Sequence, residues 1–166
     1  EWLLVLENDV WLDVQFDYQK VIMGAEKLGI AYVRLYAKRF KPARVVHGWG
    51  EHQLIRYDTD PHGTQAYLID KSGARRFLES METITMPIDD EMGRFWANGL
   101  DIYAVYPFPV IEKSARSNLS GERGRRKAGL KFGIVGHTRF RIGAKIAKTR
   151  ANLRFLIRLG GIKRRL

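Results

Sequence analysis

The chain has 166 residues, 45% of them hydrophobic and 28% charged, with a net charge of +11 and no cysteine. This is enough for one globular domain with a core, but it excludes disulfides, cysteine-based metal sites and a thiol nucleophile, and no apolar run approaches the ~20 residues of a membrane-spanning helix. Residues 111–166 carry 17 Lys and Arg against 2 Asp and Glu, whereas residues 1–110 have a net charge of −4, so we expect a polyanionic partner for the basic end.

The first predicted elements are a strand and a helix. The apolar run at residues 2–6, extended to about Val10, predicts a fully buried strand of a parallel sheet that is covered on both faces. Because such a strand needs a neighbour and the chain begins at Glu1, we expect further sequence upstream. A helix is predicted over residues 16–28, with Asp17 near its start and Gly29 after its end.

The middle of the chain alternates between strand and helix patterns. The remaining predicted strands cover residues 30–35, 44–49, 53–57, 64–69 and 102–106, and the remaining helices cover residues 71–81 and 87–98. Residues 44–57 form a predicted hairpin, and Asp60–Gly63 is a turn cluster. This alternation predicts an α/β fold.

The character of the chain changes after Ser114. Residues 117–129 are polar, basic and contain glycine, which predicts a linker. We therefore divide the chain into a domain at residues 1–116 and a basic linker with a helical tail at residues 117–166. Five apolar residues from 139 onward fall close to helical spacing among many Lys and Arg: Ile142, Ile146, Leu153, Leu156 and Ile157. This pattern is typical of a basic amphipathic helix that lies on an anionic membrane.

The first motif that could carry chemistry is the acidic end of the first strand, Glu7-Asn8-Asp9. Ligands of open α/β sheets bind outside the C-terminal edge of the strands. In a continuing strand, Glu7 and Asp9 point to one side and Asn8 to the other. Two carboxylates on one side can hold Mg²⁺ or Mn²⁺, which could bridge to a diphosphate. An acidic turn after a core strand is the alternative.

The second motif begins at Gly63-Thr64 and runs through the strand to the Gly73-Ala74 helix. Gly63 allows the backbone to approach a ligand closely, and the Thr64 hydroxyl could bond a sugar or a phosphate. A turn glycine that leads into a strand is the alternative.

The third motif is Asp89-Asp90-Glu91, which follows Pro87 in the first turn of a predicted helix. Acids at this position suit the helix dipole, which is a sufficient structural reason for them. The functional alternative is that one Asp accepts a proton from an acceptor hydroxyl. Adjacent helical residues point about 100° apart, so Asp89 and Asp90 are expected to have different roles.

In this order and spacing, the three motifs resemble glycosyltransferase family 25, whose members build lipooligosaccharide in bacteria and galactosylate collagen in animals. The resemblance covers about the first two-thirds of the chain. Its matching pieces are Leu6-Glu7-Asn8-Asp9-Val10, Gly63-Thr64-Gln65-Ala66-Tyr67-Leu68-Ile69 with Gly73-Ala74, Pro87-Ile88-Asp89-Asp90-Glu91-Met92, Trp96, Pro107-Phe108-Pro109-Val110 and Ser117.

The resemblance implies a GT-A-like mixed sheet flanked by helices and an inverting hexosyl transfer in lipopolysaccharide biosynthesis. The implied donor is a nucleotide diphosphate sugar, most simply UDP-galactose, and the acceptor is a saccharide hydroxyl. Asp9 with Glu7 would hold the metal, Mn²⁺ or Mg²⁺, and the diphosphate. Asp89 or Asp90 would be the base, with Asp90 preferred and the other Asp binding hydroxyls. Gly63 and Thr64 would shape the sugar pocket.

Two departures from the family pattern bear on activity. The family usually has Glu-Asp-Asp where this chain has Glu7-Asn8-Asp9, and its members carry an N-terminal portion that supplies much of the uridine pocket. Because that portion is absent from this sequence, we expect that the fragment alone could be inactive. A non-catalytic remnant of the fold is one alternative to an enzyme.

The basic tail has two possible partners. A nucleic-acid-binding module would need a recognisable motif or interleaved aromatic residues, and the tail offers only Phe132, Phe140 and Phe155, so nucleic acid is disfavoured. An anionic membrane is the expected partner, which places the protein in the cytoplasm as a peripheral protein on the inner face of the cytoplasmic membrane.

Overall fold

The structure is a computed structural model that describes residues 1–81, 86–113 and 134–162, apart from the side chains of residues 134–140 and 161–162. The described strands are β1 (Trp2–Leu6), β2 (Val10–Leu12), β3 (Tyr32–Arg34), β4 (Ala43–Trp49), β5 (His52–Tyr57), β6 (Ala66–Asp70), β7 (Tyr103–Tyr106) and β8 (Val110–Glu112). The described helices are α1 (Tyr18–Leu28), α2 (Lys71–Glu79), α3 (Ile88–Met92), α4 (Phe95–Asn98) and α5 (Ile134–Ile162).

Six of these strands form one mixed sheet in the order β1-β6-β3-β7-β5-β4, and β2 and β8 form a separate antiparallel ribbon. Within the large sheet β3 and β7 are parallel, whereas the pairs β1–β6, β3–β6, β5–β7 and β4–β5 are antiparallel. The predicted α/β class with a mixed sheet and flanking helices is confirmed. The ribbon β2–β8 was missed, because its three-residue strands are too short to give a periodic signal.

The strand β1 differs from its prediction. It is an edge strand, antiparallel to β6, and three of its leucines are exposed: Leu3, Leu4 and Leu6. The expectation of a fully buried strand in a parallel sheet is therefore wrong for the chain as the structure describes it. An uninterrupted apolar run does not reveal whether a strand lies at the centre or the edge of a sheet, because both positions favour large apolar side chains.

The helix α1 agrees with its predicted capping residues. The Asp17 carboxylate accepts a hydrogen bond from the Lys20 N–H at 3.0 Å, and Gly29 adopts the left-handed conformation at the C-terminal end, with φ of 65°. Val21 and Ala25 are buried against Val33 and Leu68 of the sheet. The caps and the apolar spacing thus place α1 on one face of the sheet.

The opposite face is covered by α2, α3 and α4. Phe77 of α2 and Met92 of α3 are buried in one cluster with Tyr32 and Ile69, and Phe95 of α4 is buried in a neighbouring cluster. The single helix predicted over residues 87–98 is two short helices separated by Gly93 and Arg94. Leu78, next to Phe77 in α2, is 69% exposed.

The helix α5 packs on the domain through one aromatic residue and one polar cluster. Phe155 is only 2% exposed, and its ring lies 4.6 Å from the guanidinium of the buried Arg56. Arg56 also donates to the side chains of Asn152 and Asp101, the latter at 2.7 Å. The five tail residues that were predicted as an apolar stripe remain exposed, so the docked face and the predicted stripe are different faces of the helix.

The predicted linker at residues 117–129, the boundary at residue 116 and Ser117 lie outside the described residues. Among the described residues, no helix is both long enough and apolar enough to cross a membrane.

Candidate functional site

The acidic motif lies in a turn rather than in a strand. Pairing of β1 ends at Leu6, the Glu7 N–H donates to the Gln65 carbonyl at 2.8 Å, and Asn8 and Asp9 form the turn into β2. The expectation that Glu7 and Asp9 share one side by strand alternation is therefore wrong, because the extended backbone on which it rests ends first. Asn8 is exposed and Asp9 is half-buried.

Glu7 and Asp9 act on different tyrosines. Burial first, then the charges of Tyr32 and Glu7, raise the pKa of Tyr67. Burial, a hydrogen bond from its hydroxyl to Glu112 and the charges of Glu112 and Asp9 raise the pKa of Tyr36. Tyr36 therefore stays protonated at neutral pH and remains a hydrogen-bond donor beside Asp9.

Asp9 has an oxygen available for a ligand. Its backbone carbonyl accepts a hydrogen bond from the Lys113 N–H at 2.6 Å, which ties the turn to the end of β8. Its side-chain Oδ1 is buried and accepts no hydrogen bond from any described group, and the same holds for Oε1 of Gln65. Buried acceptors without a donor are costly, and a bound cation or a donating ligand would relieve that cost.

Glu112 is a site residue that sequence reasoning missed. Its carboxylate accepts hydrogen bonds from the Tyr36 hydroxyl at 2.7 Å and from Gln65 Nε2 at 3.4 Å, and Lys38 Nζ lies 3.7 Å away. It reaches this position because β8 pairs with β2, with Glu112 opposite Val10. Only the pairing of two three-residue strands far apart in sequence brings Glu112 to the acidic turn, so no local signal could have identified it.

Gly63 packs against the same cluster. Its φ is +84°, and a Cβ atom there would lie 2.8 Å from Gln65 Oε1, 3.0 Å from the Tyr36 ring and 3.0 Å from the backbone nitrogen of Lys38. The close approach that requires a glycine is thus to protein atoms beside Asp9, and it fixes Tyr36 and Gln65. Thr64 follows and is 7% exposed, so most of its side chain is covered by protein.

A buried arginine connects this cluster to the third motif. Arg34, with no exposed side-chain surface, donates from Nη1 to the Gly63 carbonyl at 3.1 Å and to Asp60 Oδ1 at 3.1 Å. The Asp60 carboxylate in turn packs on Gly93 so closely that a Cβ there would lie 2.3 Å from Oδ2. Gly93 ends α3, and the turn 60–63 therefore spans from the Asp9 cluster to the acidic helix.

Asp89, Asp90 and Glu91 lie in the first turn of α3, and of these Asp89 and Asp90 are exposed. Glu91 is buried and pairs with Arg94 at 3.0 Å, so it stabilises the helix–turn junction. The two aspartates are adjacent and point in directions about 100° apart. Both of these residues are exposed, on the helix whose C-terminal Gly93 packs against Asp60.

The described residues contain no group of three or more His, Asp and Glu side chains that could hold a metal ion. The donors beside Asp9 are oxygen atoms, and two of them are buried without a partner in the part of the chain that the structure describes. Carboxylate and amide oxygens are what Mg²⁺ and Mn²⁺ prefer. The oxygen donors beside Asp9 are therefore of the chemical type that such an ion takes, although fewer than three described acids or histidines gather there.

The sequence model of Glycosyltransferase family 25 (LPS biosynthesis protein) matches residues 1–92. The matched region includes all three motifs, whereas Glu112 and α5 lie beyond it. Comparison with curated proteins and with solved structures gave no match.

Proposed function

Because this chain belongs to glycosyltransferase family 25, a family of lipopolysaccharide biosynthesis proteins, we propose that it transfers a hexose from a nucleotide diphosphate donor to a saccharide hydroxyl. UDP-galactose is the donor we propose, and the acceptor is part of lipopolysaccharide. The observation that carries the proposal is the connection of the three motifs by the turn 60–63. Gly63 packs on Tyr36, which interacts with Asp9. Asp60, which shares Arg34 with Gly63, packs on the end of α3.

Asp9 is the proposed centre of the diphosphate site. A Mg²⁺ or Mn²⁺ ion held by Asp9, with Glu7 two residues before it as a second oxygen donor, would neutralise the charge of the departing diphosphate. Glu112 accepts hydrogen bonds from both Tyr36 and Gln65 and so holds these two side chains beside this centre. Gly63 and Thr64 form the wall for the transferred sugar. This function goes with a GT-A-like fold, in which the diphosphate site lies at the edge of the sheet where β1 ends and β6 begins.

The aspartates of α3 are the proposed acceptor side. In an inverting transfer the oxygen of the acceptor hydroxyl bonds to C1 of the sugar, and the bond from C1 to the diphosphate oxygen breaks. One carboxylate takes the proton of that hydroxyl in the same step. We assign the base to Asp90 and hydroxyl binding to Asp89. Both are solvent-exposed, so an acceptor can approach them from outside.

The test is sugar transfer by the full-length protein with UDP-galactose, UDP-glucose and a panel of core oligosaccharide acceptors. Asp90→Asn should lower the rate of transfer by about 10²–10⁴-fold, as expected for loss of a general base, while the protein stays folded. Glu51→Gln removes an exposed acid from the β4–β5 turn and is the matched control. Near-native turnover of both Asp89→Asn and Asp90→Asn would reduce these acids to partners of the helix dipole.

The same proposal places the protein on the inner face of the cytoplasmic membrane as a peripheral protein. In α5, Ile146, Leu153 and Ile157 are 49%, 59% and 74% exposed. At 100° per residue, they lie within about 20° of the direction opposite to Phe155. An apolar stripe flanked by basic residues, on the side of the helix that faces away from the domain, suits the interface of an anionic bilayer.

The membrane proposal is tested by replacing Ile146, Leu153 and Ile157 together with Ser, which leaves every Lys and Arg in place. Co-sedimentation with vesicles that contain phosphatidylglycerol should fall, and binding to neutral vesicles serves as the baseline. Unchanged binding by the triple variant would show that attachment is purely electrostatic.

A further inference from the structure

A groove lies between α4 and α5, away from the site described above. Its volume is about 470 Å³ and its lining includes Trp96 of α4 together with Gly143, Ile146, Ala147, Arg150 and Arg154 of α5. The two small residues leave the space, because Gly143 and Ala147 present little side chain toward Trp96. The groove therefore combines an aromatic wall, an apolar rim and two guanidinium groups.

The position of the two arginines follows from helix geometry. Arg150 and Arg154 are four residues apart and project to the same side of α5. With 100° per residue, Arg154 lies about 100° from the docked Phe155, and Arg150 lies about 140° from it, next to the exposed stripe. The groove thus occupies the flank of the helix between the docked face and the apolar stripe, and Ile146 belongs to both the groove and the stripe.

The charges in the groove have no partner of opposite sign in the part of the chain that the structure describes. Neither Arg150 nor Arg154 forms an ion pair with a described carboxylate, unlike Arg56 and Arg34, which pair with Asp58 and Asp60. Trp96 is fixed in place by an edge-on contact with Phe95 at 5.2 Å and by Lys148, whose Nζ lies 4.3 Å from the ring centre. Two guanidinium groups and one fixed indole therefore line a space that is open to solvent.

We propose that this groove binds the phosphate headgroup of an anionic phospholipid, with Arg150 and Arg154 on the phosphate and the glycerol backbone against Trp96 and Ile146. The argument is charge complementarity together with continuity with the apolar stripe, along which the acyl chains would enter the bilayer. Guanidinium groups bind phosphate oxygens in pairs, and tryptophan favours the level of the headgroups. This inference deepens the membrane attachment proposed above and rests on it.

A free phosphate would satisfy the arginines but would leave the indole and Ile146 unused, so the apolar part of the lining is what favours a lipid. A nucleic acid would use the arginines and could stack on Trp96, yet it gains nothing from the exposed isoleucines and leucines beside the groove. The lipid is the occupant that uses both kinds of surface.

The experiment compares two charge-matched pairs on the same helix. Arg150→Gln with Arg154→Gln empties the groove of its guanidinium groups, and Arg141→Gln with Lys145→Gln removes two exposed charges, also four residues apart, from another side of α5. The probes are vesicles of phosphatidylglycerol in phosphatidylcholine and, separately, monomeric short-chain phosphatidylglycerol, with affinity measured by tryptophan fluorescence and by calorimetry.

General attraction to an anionic surface is worth about fivefold in affinity for each Lys or Arg near it, so both pairs weaken vesicle binding. If the groove binds the headgroup, replacing the arginine pair should weaken vesicle binding about tenfold more than replacing the control pair. It should also abolish saturable binding of the monomeric lipid. Equal losses by the two pairs would overturn the groove, and so would competition by inorganic phosphate at the same concentration as the lipid. Stronger competition by duplex DNA than by the lipid would do the same.

The inference and the proposal beneath it can fail separately. If the triple serine variant no longer binds vesicles but the arginine and control pairs lose binding equally, membrane attachment is supported and the headgroup site in the groove is refuted. Melting curves of both arginine and control variants establish that they are folded, which is expected because all four side chains replaced are exposed.

Discussion

The docking of α5 can be tested at a single residue, Phe155. Its side chain is 2% exposed, it meets Tyr103 at 6.4 Å between ring centres, and the Arg56 guanidinium stacks on it at 4.6 Å. Phe155→Ala removes all of these contacts at once and leaves the backbone of the helix unchanged. The change therefore asks whether the basic helix is part of the folded domain.

The expected cost follows from the burial. Truncation of a buried Phe to Ala costs about 3–5 kcal/mol, and loss of a desolvated cation–π contact adds up to about 2 kcal/mol. A domain of this size has only about 5–15 kcal/mol of stability in total. Ile157→Ala, two residues away on the same helix and 74% exposed, should cost no more than about 0.5 kcal/mol.

The assay is urea unfolding followed by far-ultraviolet circular dichroism, with the free energy of unfolding taken from linear extrapolation. A large loss for Phe155→Ala beside a small one for Ile157→Ala is the expected result. Equal and small losses for the two variants would refute the docking of α5 through Phe155, because an undocked helix buries neither side chain.

Three further predictions concern the site and the core. Asp9→Asn should abolish most sugar transfer, whereas Asn8→Ala should cost little because its side chain is exposed; equal losses in turnover would contradict the assignment. Gly63→Ala should lower the melting temperature more than Gly29→Ala, since both positions have positive φ but only Gly63 has atoms within 4 Å of a Cβ; equal shifts would remove the steric argument. Burial first, and then the charge of Tyr106, raise the pKa of Tyr57 to about 12 against the lowering effect of Arg34. The folded state therefore holds this proton more tightly, and stability should fall as pH rises from 10 toward 12; an unchanged alkaline unfolding profile in Tyr57→Phe would contradict this.

Local signals predicted α1, α2 and the hairpin well. Asp17 and Gly29 mark the ends of α1 within two residues of the observed helix, and the turn residues between β4 and β5 fix that hairpin. Such features depend on neighbouring residues alone, through capping and turn chemistry. The family resemblance was also within reach, since its motifs are read in order along the chain.

Features that depend on distant pairing were not predicted. The edge position of β1, the ribbon β2–β8 and the location of Glu112 all depend on which strands pair. The same applies to α5: its apolar pattern suggested the stripe that remains exposed, while the docked side uses one aromatic residue, Phe155, and the polar Asn152, which give no apolar pattern. Its partner Arg56 is fully buried at the fifth position of β5, and no local pattern marks it as the contact for a helix.

The polar contact between Arg56 and Asn152 fixes the position of α5 along its own axis. Asn152 accepts from Arg56 and donates to the Asp58 carbonyl at 3.0 Å, and a shift of α5 by one turn, about 5.4 Å, would break both bonds. Arg56 would keep its carboxylate partners Asp58 and Asp101, so the cost would fall on the amide of Asn152, which loses both of its partners. An apolar contact alone would fix this position less strictly. Asn152 and Arg56 thus act as a lock on the longitudinal position of α5, and that position decides which residues of the helix face outward.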